Sequence, residues 1–118
     1  MSESGPRRRG RPEARRRYQS VVACVRANTG PDKPLVSESV VRLSMVAHGD
    51  MAREDYISAR RAAVANDDLL EYHGKLALAD PASLRAVIEG EIEGDAPPRK
   101  ALVARCNQLI DQAKQGAD

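Results

Sequence analysis

Aromatic residues are scarce in this sequence. Among 118 residues there is no Trp and no Phe, and aromatic residues make up only 3% of the chain. Val, Leu, Ile, Ala and three Tyr must therefore fill the interior, and a chain of this length buries a modest fraction of its surface. Hydrophobic residues still account for 42% of the sequence. The composition predicts one small domain whose thin core would gain from pairing with a second subunit.

Long apolar runs are also missing. No stretch reaches the length that crosses a bilayer, and the N-terminal residues lack the apolar centre of a signal peptide. We therefore expect a cytoplasmic protein with no membrane partner. Cys24 and Cys106 are far apart, and each lies in an apolar helical pattern. This favours two reduced core thiols over a disulfide, which would need an oxidising compartment.

The residue clusters that catalysis and metal binding require are not evident in the sequence. Its two His, His48 and His73, have no companion Cys or acid at the spacing of zinc ligands. No glycine-rich phosphate loop is present. A Cys/His catalytic pair is conceivable, but both Cys lie on apolar helical faces, which favours packing over reactivity. We expect no enzymatic activity, no catalytic residue, no metal and no cofactor.

The formal net charge of +2 is unevenly distributed. Residues 1–17 hold seven Arg against Glu3 and Glu13, which gives this segment a net charge of +5. The remaining residues carry 12 basic and 15 acidic groups, a net charge of −3. A basic segment on a mildly acidic body indicates electrostatic binding to a polyanion. Because its first residues have almost no apolar content, we expect residues 1–12 to form a disordered basic arm.

Apolar spacing and capping signals predict that most of the remaining chain is helical. In the first helix, apolar side chains from Tyr18 to Val25 recur at i, i+3, i+4 and i+7. Residues 28–31 form a clear stop. Asp80 and Pro81 suit the N-cap and the first position of a later helix. The predicted helices span residues 13–28, 38–48, 51–66, 81–92 and 98–115.

A β-hairpin is predicted directly after the third helix. Two short apolar-rich runs flank the turn signal at Gly74, which gives strands near 69–72 and 75–79. The alternative is that the third helix continues to Tyr72. The predicted fold class is therefore mainly α with a small β-hairpin. On the third helix two apolar stripes compete, and the sequence does not rank them: Ala52, Tyr56, Ala59 and Ala63, or Ile57 and Val64.

The element order resembles a winged helix-turn-helix, the DNA-binding fold of many small transcription regulators. Two helices are separated by a short break at Gly49, a hairpin follows, and the run "SARRAAVANDDLLEY" is similar to a recognition helix entering a wing strand. The resemblance covers residues 37–79 and the first helix. It implies that helix 51–66 enters the major groove and that the hairpin turn touches the DNA backbone or minor groove. The residues carried over are Arg53, Glu54, Ser58, Arg60 and Arg61 on the helix, and His73, Gly74 and Lys75 in the wing.

The sequence also departs from the family pattern. Glu54 and Asp55 stand early in the reading helix, where they would repel phosphate. The family often has a large aliphatic residue where this chain has Arg60 or Arg61, so one of the two is a candidate for a half-buried structural role. Such an Arg pair on a helix is also typical of a plain solvated face, and a His in a turn is often inert.

The motif Arg9-Gly10-Arg11-Pro12 resembles the core of an AT-hook, which lies extended in the minor groove of A·T-rich DNA. Gly allows close approach to the groove floor, Pro keeps the chain extended, and Arg enters the narrow negative groove well. The hook pattern usually continues with basic residues, whereas Glu13 follows here. The alternatives are a nonspecific phosphate tether and an inert solubilising tail. The remaining arginines would hold flanking phosphates: Arg7, Arg8, Arg15, Arg16 and Arg17.

The predicted organisation is a basic arm over 1–12, a winged helix-turn-helix over 13–80 and C-terminal helices over 81–118. The last helix carries an apolar stripe that would pair with a second copy or pack back on the first helix. We expect a dimeric, nucleoid-associated transcription regulator that binds double-stranded DNA. The alternatives are an architectural or maintenance protein (partition, replication, excision), a protein-interaction module, and an RNA-binding protein.

Overall fold

A computed structural model describes the backbone of residues 4–116 and the side chains of residues 12–116. The chain is mainly helical and has a small three-stranded antiparallel sheet. No helix within 4–116 is long and apolar enough to span a membrane. In chain order the elements are α1 (Ser4–Ala27), β1 (Val36–Ser37), α2 (Glu38–Arg42) with a π-helical continuation (Leu43–His48), α3 (Arg53–Ala65), β2 (Leu69–Tyr72), β3 (Lys75–Leu78), α4 (Pro81–Glu93) and α5 (Lys100–Gly116).

The first helix begins at Ser4, well before the expected start at residue 13, and it continues through Pro12. The backbone of residues 4–12 is therefore helical, which differs from the disordered arm expected over 1–12; residues 1–3 lie outside the described residues. Arg is a good helix former, and the arginines of this segment outweigh Gly10 and the backbone donor that Pro12 lacks. The predicted stop is confirmed, because the side chains of Asn28 and Thr29 each bond a carbonyl of the last turn at 2.8 Å.

The second helix ends where the sequence predicted, at His48, although its last six residues are π-helical. Gly49 has a specific steric role there, since a Cβ at this position would lie 2.8 Å from the carbonyl oxygen of Met45. The third helix begins at Arg53 with Ala52 at its N-cap, two residues later than predicted.

The hairpin prediction is confirmed, and the alternative in which the third helix reaches Tyr72 is wrong because α3 ends at Ala65. His73 and Gly74 form the turn with φ values of 46° and 77°, and two positive values are typical of the tight turns that match strand twist. The sequence analysis missed β1, which pairs with β3 through Val36 and Leu76 to give the order β1-β3-β2. A strand of two residues is too short to produce an alternating pattern.

The sheet separates two apolar clusters because alternate residues of a strand face opposite sides. On one side, Leu69 and Leu76 join buried residues of α1, α2 and α3. On the other side, Leu70 and Ala77 join buried residues of α4 and α5. On α3 the first of the two competing stripes is the buried one at Tyr56, Ala59 and Ala63, but Ala52, its first predicted member, is exposed at the N-cap.

The last helix packs within the chain. Its stripe of Leu102, Cys106, Leu109 and Ile110 is buried in the cluster formed with α4 and the sheet, not in the cluster of α1. The expected pairing of this helix with a second copy would require the stripe to leave that cluster. The apolar spacing of residues 81–92 predicts a buried face of Leu84, Val87, Ile88 and Ile92, and this prediction is wrong at Ile92, whose side chain is 64% exposed in the last turn. Both cysteines are free and buried, and burial raises the pKa of the Cys106 thiol.

Candidate nucleic-acid interface

The outward face of α3 carries most of the residues predicted to read DNA. Glu54, Ser58 and Arg61 follow one another at i, i+4 and i+7, and all three are exposed. Arg53, in the first turn, is exposed as well. The opposite face packs against α1 and the sheet through the buried stripe. The sequence therefore folds so that one polar face of a 13-residue helix is free to enter a groove.

Arg60 is the predicted reading residue that the structure holds in place. Its Nη1 atom donates to Glu38 Oε2 at 2.9 Å, and its Nε atom lies 3.5 Å from Glu71 Oε1, an ion pair without hydrogen-bond geometry. The guanidinium also stacks 5.6 Å from the ring centre of Tyr56. With only 16% of its side chain exposed, Arg60 joins α3 to α2 and to strand β2.

Glu38 is the acceptor at the centre of this network. It receives the Tyr56 hydroxyl at 2.7 Å on the oxygen that also faces Arg60, while its other oxygen lies 3.3 Å from Arg42. Burial, together with the bond to Glu38, raises the pKa of Tyr56 far above its ordinary value. Burial alone would lower the pKa of Arg60, but the contacts with Tyr56, Glu71 and Glu38 raise it. The tyrosine is therefore neutral and the arginine charged throughout the physiological range.

The basic segment of α1 lies beside the outward face of α3. Arg15 and Arg16 are exposed, and Arg17 is half-buried with its Nη1 atom 3.8 Å from Glu13. A groove of about 480 Å³ between the two helices is lined by Arg15, Arg17 and Ser58, together with Asp55 and Tyr18. Two predicted phosphate contacts and one predicted base contact thus border the same groove.

Tyr18 fixes the position of this basic segment. Its hydroxyl donates to the Asp68 carboxylate, just beyond the end of α3, and it accepts the Asn66 amide at 3.4 Å. Burial and the bond to Asp68 raise the pKa of Tyr18. The contact spans 50 residues and ties the start of the buried part of α1 to the far end of α3.

The side chains of Arg7, Arg8, Arg9 and Arg11 lie outside the described side chains. Their backbone, like that of Gly10, belongs to α1 and is helical. This differs from the extended conformation that the resemblance to an AT-hook implies for Arg9 to Pro12. A hook-like contact would therefore require this part of the helix to unwind.

The hairpin turn is held beside the start of α2. The backbone N–H of Glu38 donates to the Gly74 carbonyl at 2.8 Å, and Lys75 Nζ donates to Ser37 Oγ at 3.1 Å. The His73 and Tyr72 rings meet edge to face with their centres 4.4 Å apart. His73 and Lys75 remain exposed, as a contact with a phosphate backbone would require.

Sequence reasoning placed the exposed residues of α3 and the turn, but it missed Glu38 and Tyr18 as the residues that position them. Their partners lie 18 to 50 positions away, so no local pattern identifies them. Arg53 lines a separate groove formed with α2, apart from the one that holds Ser58. Across the part of the chain that the structure describes, no group of three or more His, Cys, Asp or Glu side chains could hold a metal ion.

No protein-family model matches the chain, and neither the curated proteins nor the solved structures contain a significant match. The function is therefore inferred from the arrangement of residues described above.

Proposed function

We propose that this protein binds double-stranded DNA as a small transcription regulator. In this proposal α3 enters the major groove and the basic segment of α1 contacts the neighbouring phosphates or minor groove. The observation that carries it is the groove in which Arg15 and Arg17 of α1 lie beside Ser58 of α3. A polar helix face bordered by cations suits a duplex, because phosphate contacts position a protein and base contacts specify its site.

The surrounding elements support a winged helix-turn-helix. The helical stretch 38–48 and α3 are separated by residues 49–52, and the hairpin follows α3 directly. Strand β1 immediately precedes α2 and pairs with β3, so the hairpin is joined to the helix pair by backbone hydrogen bonds. Such a frame would hold the wing and the reading helix in a fixed relation, as a helix that docks in the major groove requires.

The residues on α3 take different roles in this proposal. Arg61 and Arg53 contact guanine, to which Arg can bond in a bidentate way, and Ser58 bonds either base type. Glu54 accepts a hydrogen bond from the amino group of cytosine. This contact gives a favourable role to a carboxylate that would otherwise only repel phosphate. Arg60 holds the helix in place through Glu38 and Glu71 and does not contact a base.

The Arg-rich start of α1 supplies a second, sequence-independent contact. Its helical backbone favours phosphate binding by Arg15 and Arg16, which are exposed. Entry into an A·T-rich minor groove needs residues 9–12 to unwind, and Gly10 and Pro12 lower the cost of that change because both weaken a helix interior. The two modes predict different preferences between A·T-rich and G·C-rich duplexes.

A binding-site selection experiment tests the proposal. Randomised duplexes would be selected with the full chain, and the affinity for the preferred site would be compared between the unaltered chain, Arg61→Ala and Ser58→Ala. We expect Arg61→Ala to cost about 1–3 kcal/mol on the preferred site and to relax the preference at one base position. Arg85→Ala, an exposed arginine on α4, is the matched control and should change neither quantity. No preferred site, or a preference that both α3 variants retain, would count against the proposal.

A further inference from the structure

Large hydrophobic side chains are exposed at two places on the described surface. Val40 and Leu43 are 42% and 56% exposed, and they lie one helical turn apart on α2 and its π-helical continuation. Ile92 is 64% exposed in the last turn of α4. The first pair belongs to the helices on one side of the sheet, whereas α4 packs on the other side. The neighbours of the two places differ in charge.

The surface around Val40 and Leu43 is an apolar groove with basic edges. It has a volume of about 540 Å³, and Val46 and Ala47 complete its floor. Arg42 and Arg53 line it. Arg53 is exposed, and the Arg42 side chain is 43% exposed although it lies 3.3 Å from Glu38. We refer to Val40, Leu43, Val46 and Ala47 with these two arginines as the basic groove.

The surface around Ile92 is apolar with acidic neighbours. Glu89 lies one turn before Ile92, Glu93 is next to it, and both carboxylates are exposed. Glu91 is separately engaged, because Arg99 binds it at 2.8 and 2.9 Å. The basic residue on the same helix, Arg85, is one turn before Glu89 and lines a groove with it, but it is seven positions before Ile92, roughly 10 Å along the axis. We refer to Glu89, Ile92 and Glu93 as the acidic ridge.

We propose that the acidic ridge of one copy docks into the basic groove of a second copy. Ile92 would pack between Val40 and Leu43, and Glu89 and Glu93 would face Arg42 and Arg53. The pairing removes the exposed apolar side chains of both places from water and sets opposite charges at the edge of the contact. Arg53 also has a proposed contact with guanine, so a docked copy and the duplex would compete for this residue.

The contact is head-to-tail because the two surfaces lie on different parts of the chain. Every added copy leaves one groove and one ridge free, so association continues into a closed ring or an open chain of copies. The apolar area at each surface is small compared with about 800 Å² per partner in a stable interface. The association is therefore weak and concentration-dependent, and salt weakens it further because its edges are charged.

Two variants that each block one surface test this arrangement. Leu43→Asp places an acid in the groove, and Ile92→Asp removes the apolar anchor of the ridge. In sedimentation velocity over a concentration series, the unaltered chain should associate into dimers and larger species. Each variant alone should associate at least about tenfold more weakly, the factor that loss of an interface anchor typically costs. An equal mixture should form a one-to-one dimer and stop there, because one variant keeps its ridge and the other its groove.

Ala104→Asp, an exposed position on α5, is the matched control and should associate like the unaltered chain. Thermal unfolding checks that the variants fold, as expected for exposed positions. A second pair, Arg53→Glu and Glu93→Arg, alters only the charges. Each variant alone should associate more weakly, and a mixture of the two should recover large species, because in alternating order every junction again joins opposite charges. The proposal is overturned by an unaltered chain that stays monomeric up to about 1 mM, by a Leu43→Asp and Ile92→Asp mixture that stays monomeric, or by variants that associate normally.

Discussion

Arg60 of α3 and Glu38 of α2 are joined by a hydrogen-bonded ion pair of 2.9 Å between side chains that are 16% and 14% exposed. The pair connects α3 to the start of α2. The Tyr56 hydroxyl donates to the same carboxylate oxygen. Arg61, the next residue, points to solvent. Arg60 is thus buried in an ion pair and Arg61 is exposed, so their substitutions should change the free energy of unfolding by different amounts.

We expect Arg60→Ala to lower the free energy of unfolding by about 1–3 kcal/mol, since it leaves Glu38 and Glu71 without their shared cation and removes packing on Tyr56. Arg61→Ala should change it by less than about 0.5 kcal/mol, as is usual for an exposed residue. Urea unfolding of the two variants measures both. A double-mutant cycle with Glu38→Ala should show coupling for Arg60 and none for Arg61. Equal stability of the two single variants would contradict this assignment.

Gly49 and Gly90 should respond in opposite ways to an added methyl group, because only Gly49 has close neighbours at the position of the added carbon. Gly49→Ala should destabilise the chain by about 1–3 kcal/mol, because the added Cβ would lie 2.8 Å from the Met45 carbonyl oxygen. Gly90→Ala should instead stabilise it by about 0.5–1 kcal/mol, because Gly90 lies inside α4 with nothing within 4 Å of the added carbon. Thermal or urea unfolding gives both values, and the same sign for the two variants would argue against this reading of the bend.

The link between α4 and α5 should be sensitive to acid. The side chain and the backbone N–H of Arg99 hold the Glu91 carboxylate and lower its pKa to about 2. Because the folded pKa is below the value of about 4.5 expected for an unfolded chain, this stabilisation is present above pH 4.5 and is lost as the pH falls toward 2. Glu91→Gln should cost about 1 kcal/mol at pH 7 and nothing measurable near pH 2.

Urea midpoints measured between pH 2 and pH 7 check this dependence. Glu93→Gln is the natural control, since Glu93 is an exposed carboxylate on the same helix turn. A loss for Glu91→Gln that is the same at pH 2 and at pH 7 would show that the stabilisation is not electrostatic.

Local signals were sufficient for the hairpin and for the helices other than the start of α1. Apolar spacing, the Asp80 cap and Gly74 lie within a few residues of what they determine, and the structure follows them closely. The features that were missed depend on distant partners: Val36 becomes a strand only because Leu76 is opposite, and Glu38 acquires its role only from Tyr56 and Arg60. The burial of the α5 stripe depended in the same way on where α4 and the sheet would lie.

The conformation of the N-terminal arm could not be predicted either, because the same arginines are compatible with a helix and with an extended DNA-bound chain. Deleting residues 1–11 removes four of the seven arginines of the basic segment and leaves the described side chains from Pro12 onward intact. If those four contact phosphates, the slope of log K against log salt should become shallower by about 3–4. Fluorescence anisotropy with A·T-rich and G·C-rich duplexes over a salt series measures the slope.

If the deletion lowers the affinity for both duplexes equally, the arm contacts phosphates as a helix. If it lowers the affinity for the A·T-rich duplex selectively, the arm unwinds and enters the minor groove. An unchanged slope would show that residues 1–11 do not contact DNA, so that the duplex contacts would come from α3, the hairpin turn and the described arginines of α1.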